Sequence, residues 1–195
     1  MFRLEMKTDP RWAKNVAAGN LQEILTDHAY CEQKAASSAI SLIVGYPEHE
    51  ELVSKMADLA QEELGHFRMV HREIVSRGLE LGRERKDSYV NELIKFIRDK
   101  GKSREEALMD KLLLAAMIEA RSCERFRVLS ENIGDEHLAD FYYKLMVSEA
   151  RHYTMFIELA RKLCPNCDVE GRWYAFLEYE GEVITRYGTG EAIHG

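Results

Sequence analysis

The chain has 195 residues, of which 46% are hydrophobic and only 3 are proline and 12 glycine, so it can bury a full core and is neither disordered nor typical of an all-β fold. Its 34 acidic and 27 basic residues give a net charge of −7, which excludes a surface built throughout to hold nucleic acid or an anionic membrane. We expect one all-α domain over residues 1–195.

Neither a membrane span nor a signal peptide is predicted. The longest uncharged run, Ala35 to Pro47, is well short of the ~20 residues that cross a bilayer. Residues 1–9 carry charges at Arg3, Glu5, Lys7 and Asp9, which leaves no room for an apolar signal core. We therefore expect a cytoplasmic protein with no membrane partner, whose four cysteines are reduced thiols.

Two long helices are predicted in the first part of the chain. Asp9 is a suitable N-cap and Pro10 a suitable first residue for a helix that continues to about Val44, where Gly45-Tyr46-Pro47 ends it. The second helix is expected from about Glu48 to Ser76, with Gly78 as its C-cap.

A long connection, residues 77–103, separates these helices from a second pair at about 104–133 and 136–163. An apolar-periodic stretch within it, from Tyr89 to Ile97, predicts a short extra helix. A tail from Gly171 to Gly188 predicts a fifth, capping helix. Short, long and short connections are typical of a four-helix bundle with one crossover between helices 2 and 3.

Glutamate and histidine residues interrupt the stripe of apolar side chains, here called the seam, along one face of every long helix. The first and third helices each carry one glutamate, and the second and fourth each carry a Glu-x-x-His pair, whose spacing puts both side chains on one face. The six residues are Glu32, Glu63, His66, Glu119, Glu149 and His152.

The two halves of the chain match in register. Glu32 precedes Glu63 by 31 residues and Glu119 precedes Glu149 by 30. In each hairpin the single glutamate of one helix therefore lies level with the Glu-x-x-His of the other helix. Buried carboxylates need a cation or a partner, and four carboxylates balance two divalent ions. The pattern predicts the di-iron or di-manganese site of ferritin-like bundles.

Three positions leave alternatives open. Glu62 lies four residues before His66 and competes with Glu63, although the equivalent position in the other half, 148, is serine. Glu124 competes with Glu119, but its helix face, with Arg127 and Glu131, is predicted to be solvated. His28, one turn before Glu32, is either a hydrogen-bonding neighbour of the site or an ordinary core histidine.

Two further groups near the site have competing interpretations. Arg121 and Arg125 share a helix face and are expected at the surface or in ion pairs, or else at the mouth of the metal site. The pair Cys164 and Cys167 resembles half of a zinc or rubredoxin site, but the other two cysteines lie mid-helix. We interpret the pair as a helix-end turn.

Positive charge is concentrated in one segment. Residues 68–104 hold eleven Lys and Arg against six Asp and Glu. This segment is either a solvated crossover or an anion-binding surface in an acidic protein. The residues expected to contact RNA under the second interpretation are Arg72, Arg83, Arg85, Lys86, Lys100 and Lys102.

Five stretches spread along the chain resemble the tRNA 2-methylthio-isopentenyladenosine hydroxylase family, and the resemblance covers nearly the whole chain. The stretches around Glu119 and Glu149 are specific beyond a generic Glu-x-x-His. They are Asp9-Pro-Arg-Trp12, Asp27-His-Ala-Tyr-Cys-Glu-Gln-Lys-Ala-Ala-Ser37, Glu62-Glu-Leu-Gly-His-Phe67, Ile118-Glu-Ala-Arg-Ser-Cys-Glu-Arg-Phe126 and Ser148-Glu-Ala-Arg-His-Tyr153.

The resemblance implies a ferritin-like, di-iron monooxygenase that uses O2 to hydroxylate the isopentenyl group of a modified adenosine beside the tRNA anticodon. It makes the six seam residues the iron ligands and the tRNA anticodon loop a partner. No flavin, NAD or iron–sulfur motif is present in the sequence, so electrons would come from a separate reductase. The alternatives are a ferroxidase or rubrerythrin-like protein that handles iron or peroxide, and a metal-free helical interaction module.

Overall fold

Helices account for all the regular secondary structure in the computed structural model, which describes residues 4–97, 103–187 and 193. In the described residues the helices are α1 (Pro10–Gly19), α2 (Leu21–Gly45), α3 (Glu50–Ser76), α4 (Ser88–Phe96), α5 (Arg104–Asn132), α6 (Glu136–Leu163) and α7 (Val169–Tyr187). The all-α class, the short helix in the crossover and the C-terminal helix are confirmed. Among the described residues no helix is both long and apolar enough to cross a bilayer.

The first predicted helix is wrong in one respect, because it is two helices. Asn20 leaves the helical region, with φ −146° and ψ 39°, and separates α1 from α2. Glycine and asparagine are weak helix formers, and they stand together at Gly19-Asn20, where the apolar pattern does not hold the chain in a helix.

The chain divides into two compact units, residues 18–86 with 191–193 and residues 1–17 with 87–190 and 194–195. In the first unit α2 and α3 form an antiparallel hairpin with a short connection at residues 46–49. Small side chains such as Ala29, Ala36 and Ala39 are fully buried along α2, which lets the two helices approach closely.

The end of α3 directs the following segment back over α2. Gly78 has φ +70°, and its N–H and that of Leu79 bond to the carbonyls of Val75 and Ile74, which is a Schellman motif. Gly82 then lies against Thr26, where an added Cβ would come within 3.3 Å of the threonine methyl. The predicted C-cap at Gly78 is therefore confirmed.

The second unit is built around α5 and α6, a hairpin closed by the turn at residues 133–135, with α4 and α7 packed together and α7 against α5. Its helices begin at side-chain caps. Asp87 and Asp135 accept from the N–H groups of Val90 and Leu138, and Ser103 forms a capping box with Glu106. These caps fix the start of the helices that carry Glu119 and Glu149.

Arg172 joins three helices of this unit. Its guanidinium lies 4.2 Å from the ring centre of Phe96 in α4 and 4.9 Å from that of Phe176 in α7. It also donates to both carboxylate oxygens of Asp110 in α5, at 2.7 and 3.1 Å. The guanidinium of Arg172 is thus neutralised by a carboxylate and also stacks on two rings, and these contacts hold α4 and α7 against α5.

We predict that Ser103→Ala destabilises the protein by about 1 kcal/mol, because it removes the N-cap of α5 and half of its capping box. The expected change in thermal unfolding is a fall of about 2–4 °C in Tm for a chain of this size. Ser54→Ala, at an exposed position inside α3, is the control and should leave Tm unchanged or slightly raised. Equal Tm values for the two variants would contradict the capping role.

Candidate metal centre

The first unit brings Glu32 of α2 together with Glu63 and His66 of α3. Each offers a ligand atom, and these atoms lie within 4.8 Å of one another. Nδ1 of His66 is 2.9 Å from Oε2 of Glu63 and 3.8 Å from Oε2 of Glu32. All three side chains are buried, so this half of the predicted site is assembled as the sequence spacing requires.

Electrostatics in this triad favour a positive charge. Burial lowers the pKa of His66, but hydrogen bonds and the charges of Glu32 and Glu63 outweigh it and raise the pKa to about 10. Two buried carboxylates around one imidazole thus attract a cation, which is a proton in the metal-free protein and which a metal ion would displace.

His28 contacts the triad from one helical turn away. Its Nε2 is 2.7 Å from Oε1 of Glu32, and its side chain is fully buried in α2. An ionised Glu32 only accepts, so His28 donates from Nε2 and orients the carboxylate. The interpretation of His28 as a hydrogen-bonding neighbour of the site is therefore supported over that of an ordinary core histidine.

The second unit brings Glu119 of α5 together with Glu149 and His152 of α6. Their ligand atoms also lie within 4.8 Å of one another, and all three side chains are buried. Nδ1 of His152 is 3.9 Å from Oε2 of both glutamates. On α5 the position one turn before Glu119 is Ala115, so this triad has no counterpart of His28.

Each triad fits a divalent cation. Two carboxylates and one imidazole balance a +2 charge, and carboxylate oxygen with imidazole nitrogen is a donor set that iron and manganese both accept. Burying two carboxylates side by side without a cation is costly. Other buried ionisable groups in the described chain, such as Asp110 and Glu180, pair with arginines instead.

The expectation of a solvated face around Glu124 is wrong for Glu124 itself, which is buried, whereas Glu131 on the same face is exposed. Thr8 donates to both carboxylate oxygens of Glu124, from its backbone N–H at 2.9 Å and its hydroxyl at 2.6 Å. Arg121 adds a third hydrogen bond at 3.1 Å. The N-terminal segment therefore covers a helix face whose charges suggested exposure, and Glu124 serves as an ion-pair partner.

Arg121 and Arg125 are both fully buried, so a surface position is wrong for them, while their expected place at the mouth of the metal site stays a prediction. Arg121 donates to Glu180 at 2.6 and 2.8 Å and to the carbonyl of Met6, as an ion-paired residue does. Arg125 lies 4.2 Å from the ring centre of Trp12, and burial together with the charge of Arg121 lowers its pKa to about 10. These contacts could not be predicted from residue spacing, since Glu180, Met6 and Trp12 lie 59 to 115 residues away in the sequence.

Cys164 and Cys167 form the predicted helix-end turn. The N–H of Cys167 donates to the carbonyl of Cys164 at 3.1 Å, and both thiols are free. Among the described residues no cysteine joins a group of metal-binding side chains. Burial raises the pKa of Cys164 to about 12, which keeps it protonated.

The predicted RNA contacts that the structure describes lie at the surface of the first unit. Arg72, Arg83, Arg85 and Lys86 are exposed, and Arg85 pairs with Glu23. Lys100 and Lys102 lie outside the described residues. The assignment of this set to RNA binding stays a prediction.

Comparison with known families matches residues 2–195 to the family described as tRNA-(MS[2]IO[6]A)-hydroxylase (MiaE). Two relatives carry the name tRNA 2-(methylsulfanyl)-N(6)-isopentenyladenosine(37) hydroxylase. The one from Pseudomonas putida is 39% identical over 83% of this chain and 77% of its own. The one from Salmonella typhimurium is 30% identical over 85% of this chain and 77% of its own.

A solved structure from Synechococcus, titled a protein with aldehyde deformylating oxygenase activity, is similar over nearly the whole chain. The TM-score is 0.88 at 32% identity, with coverage of 98% of this chain and 95% of the other. This similarity confirms the predicted all-α, ferritin-like fold.

We predict that Glu63→Gln lowers the amount of Fe(II) or Mn(II) bound per chain, because it removes a buried anionic ligand. Glu62→Gln is the matched control, since Glu62 is partly exposed and its Oε1 lies 3.9 Å from Nε2 of His66. Metal content after anaerobic loading and desalting is the measurement. Saturating metal should also stabilise the wild type by about 2.7 kcal/mol at 100 times Kd. Loss of metal in Glu62→Gln but not in Glu63→Gln would reverse the assignment.

Proposed function

The chain belongs to the tRNA-(MS[2]IO[6]A)-hydroxylase family, and from this we propose that it is an O2-dependent di-iron monooxygenase that hydroxylates the isopentenyl side chain of 2-methylthio-isopentenyladenosine in tRNA. The observation that carries the proposal is the pair of buried triads, each with two glutamates and one histidine within ligand distance of one another. The curated relatives named as this hydroxylase support the substrate.

In this proposal each triad supplies the ligands of one iron ion. Glu32, Glu63 and His66 serve one, and Glu119, Glu149 and His152 serve the other. Ferrous ions would supply the chemistry that reduces O2 and oxidises a C–H bond of the substrate. His28 holds the carboxylate of Glu32 in a fixed orientation through its 2.7 Å hydrogen bond, so that ligand needs no reorganisation when a metal binds.

Burial of the ligands serves the reaction as well as the metal. Every triad residue is at most 7% exposed, so bulk water has little access to the reacting centre. A dry, apolar surrounding protects an oxidising centre from side reactions and suits an allylic hydrocarbon substrate. Cys123, one helical turn after Glu119, has its pKa raised to about 12 by burial and by the charge of Glu149, so it stays protonated.

The substrate and the electrons come from outside the chain. An adenosine beside the anticodon lies in a single-stranded loop, and its base is free to be unstacked and inserted into a protein pocket. Two electrons per turnover would come from a separate reductase, because the sequence holds no motif for a second redox cofactor. We place the reaction in the cytoplasm, where tRNA and its modifying enzymes meet.

We predict that the iron-loaded protein, given reductant, O2 and tRNA that carries 2-methylthio-isopentenyladenosine, forms the hydroxylated nucleoside. Nucleoside analysis by liquid chromatography and mass spectrometry measures the product, and Glu149→Gln is the control that should form none. Bound iron and O2 consumption without a hydroxylated nucleoside would leave the metal centre in place but reject tRNA as the substrate.

We predict that the double charge reversal Arg83→Glu/Lys86→Glu weakens tRNA binding and leaves the iron content unchanged. Both side chains are exposed, and each lost phosphate contact to a single strand lowers the salt slope of log K by about 0.7. Lys14→Glu/Lys55→Glu makes the same change of charge at exposed positions elsewhere and serves as the control. Equal Kd values for the two double variants would remove these residues from the RNA contacts.

A further inference from the structure

One exposed flank of α3 combines rings and positive charge in a way that the metal centre does not explain. We call Phe67, Arg68, His71 and Arg72 the α3 strip. With about 100° of rotation per residue, these four side chains share one flank of the helix, while Glu63 and His66 belong to the buried face. The strip begins at the residue that follows the ligand His66.

The two rings of the strip are already stacked. The Phe67 and His71 ring centres are 6.2 Å apart and the ring planes differ by 6°, with His71 exposed and Phe67 half-buried. Parallel rings at a helix surface form a flat platform that can be extended by another planar ring. Nucleic acid bases stack on such aromatic platforms with little dependence on sequence.

Positive charge flanks this platform without compensation. Arg68 and Arg72 are exposed, and neither forms an ion pair with any described residue. Between Gly65 and Val75 they are the exposed residues of α3 with permanent charge, since Glu73 is buried and pairs with Arg77. In a chain of net charge −7, two neighbouring exposed arginines that have no carboxylate partner in residues 4–97 and 103–187 favour an anionic ligand.

We propose that the α3 strip binds the single-stranded loop of the RNA substrate, with a base stacked on His71 and phosphates held by Arg68 and Arg72. The inference rests on the proposed function and adds a contact surface to it. An acidic protein would satisfy the arginines but has no need of a flat stacked pair. A single-stranded RNA presents phosphates and unstacked bases in alternation, and so matches both features.

The test compares two charge variants and two ring variants in the full-length, iron-loaded protein. Arg68→Glu/Arg72→Glu is matched by Lys14→Glu/Lys55→Glu, of which Lys55 lies on the same helix outside the strip. His71→Ala removes the exposed ring and His71→Phe keeps one. The probe is a synthetic anticodon stem-loop with 2-methylthio-isopentenyladenosine, and its Kd is measured by fluorescence anisotropy over a salt series.

We expect Arg68→Glu/Arg72→Glu to raise Kd by roughly ten-fold or more and to lower the salt slope by about 1.4, while the matched control stays near wild type. His71→Ala should raise Kd by about five-fold or more, and His71→Phe should restore it. The iron content after loading should be equal in all variants, because none of them changes a triad residue.

Several results separate the strip from the reaction. Stem-loop binding by Arg68→Glu/Arg72→Glu at the level of its control overturns the inference, whatever the activity. If stem-loop binding is unchanged but hydroxylation is slower when a protein reductase supplies the electrons, the inference is also overturned. The strip is then assigned to binding of the electron donor. If the wild type does not hydroxylate the stem-loop but binding still depends on the strip, the strip is supported and the proposed reaction is rejected.

Discussion

Carboxylates that lie in the apolar seam of a helix pair need a positive charge beside them, and this requirement organises the chain. Four glutamates interrupt the seams of α2, α3, α5 and α6. Each is buried within ligand distance of another glutamate and a histidine. Burying such groups is costly, which explains why these glutamates lie at positions where two of them and a histidine come together and one cation can neutralise them.

The same requirement is met differently elsewhere in the second unit. Glu180 and Glu124 are buried against Arg121, and Asp110 against Arg172, so these carboxylates are neutralised by guanidinium groups. Seventeen residues of α5 are buried, and its charged flank is sealed by the segment that holds Met6 and Thr8. Carboxylates with arginine partners stabilise the scaffold, and those with histidine partners remain available to a metal.

The two triads are alike in composition but not in surroundings. His28 supports Glu32 in the first unit, whereas the second has Ala115 at the equivalent position. A histidine that donates to a carboxylate helps to fix its orientation. The two helices therefore place different side chains one turn before Glu32 and Glu119. The strip on α3 is connected to this centre through a single peptide bond, between His66 and Phe67.

The sequence by itself determined the helical fold class, the two hairpins and the clustering of the six seam residues, because helical periodicity and the spacings of 31 and 30 residues can be read directly along the chain. It favoured Glu63 over Glu62 through the equivalent Ser148, and that choice stays a prediction. Only the tertiary structure decided the break at Asn20, the buried state of Arg121, Arg125 and Glu124, and the parallel stacking of Phe67 and His71. The burial of a charged face depends on which distant segment covers it, and residues 6–12 do so here from more than 100 positions away. The repeat of apolar residues along a helix does not specify which distant segment covers its charged face.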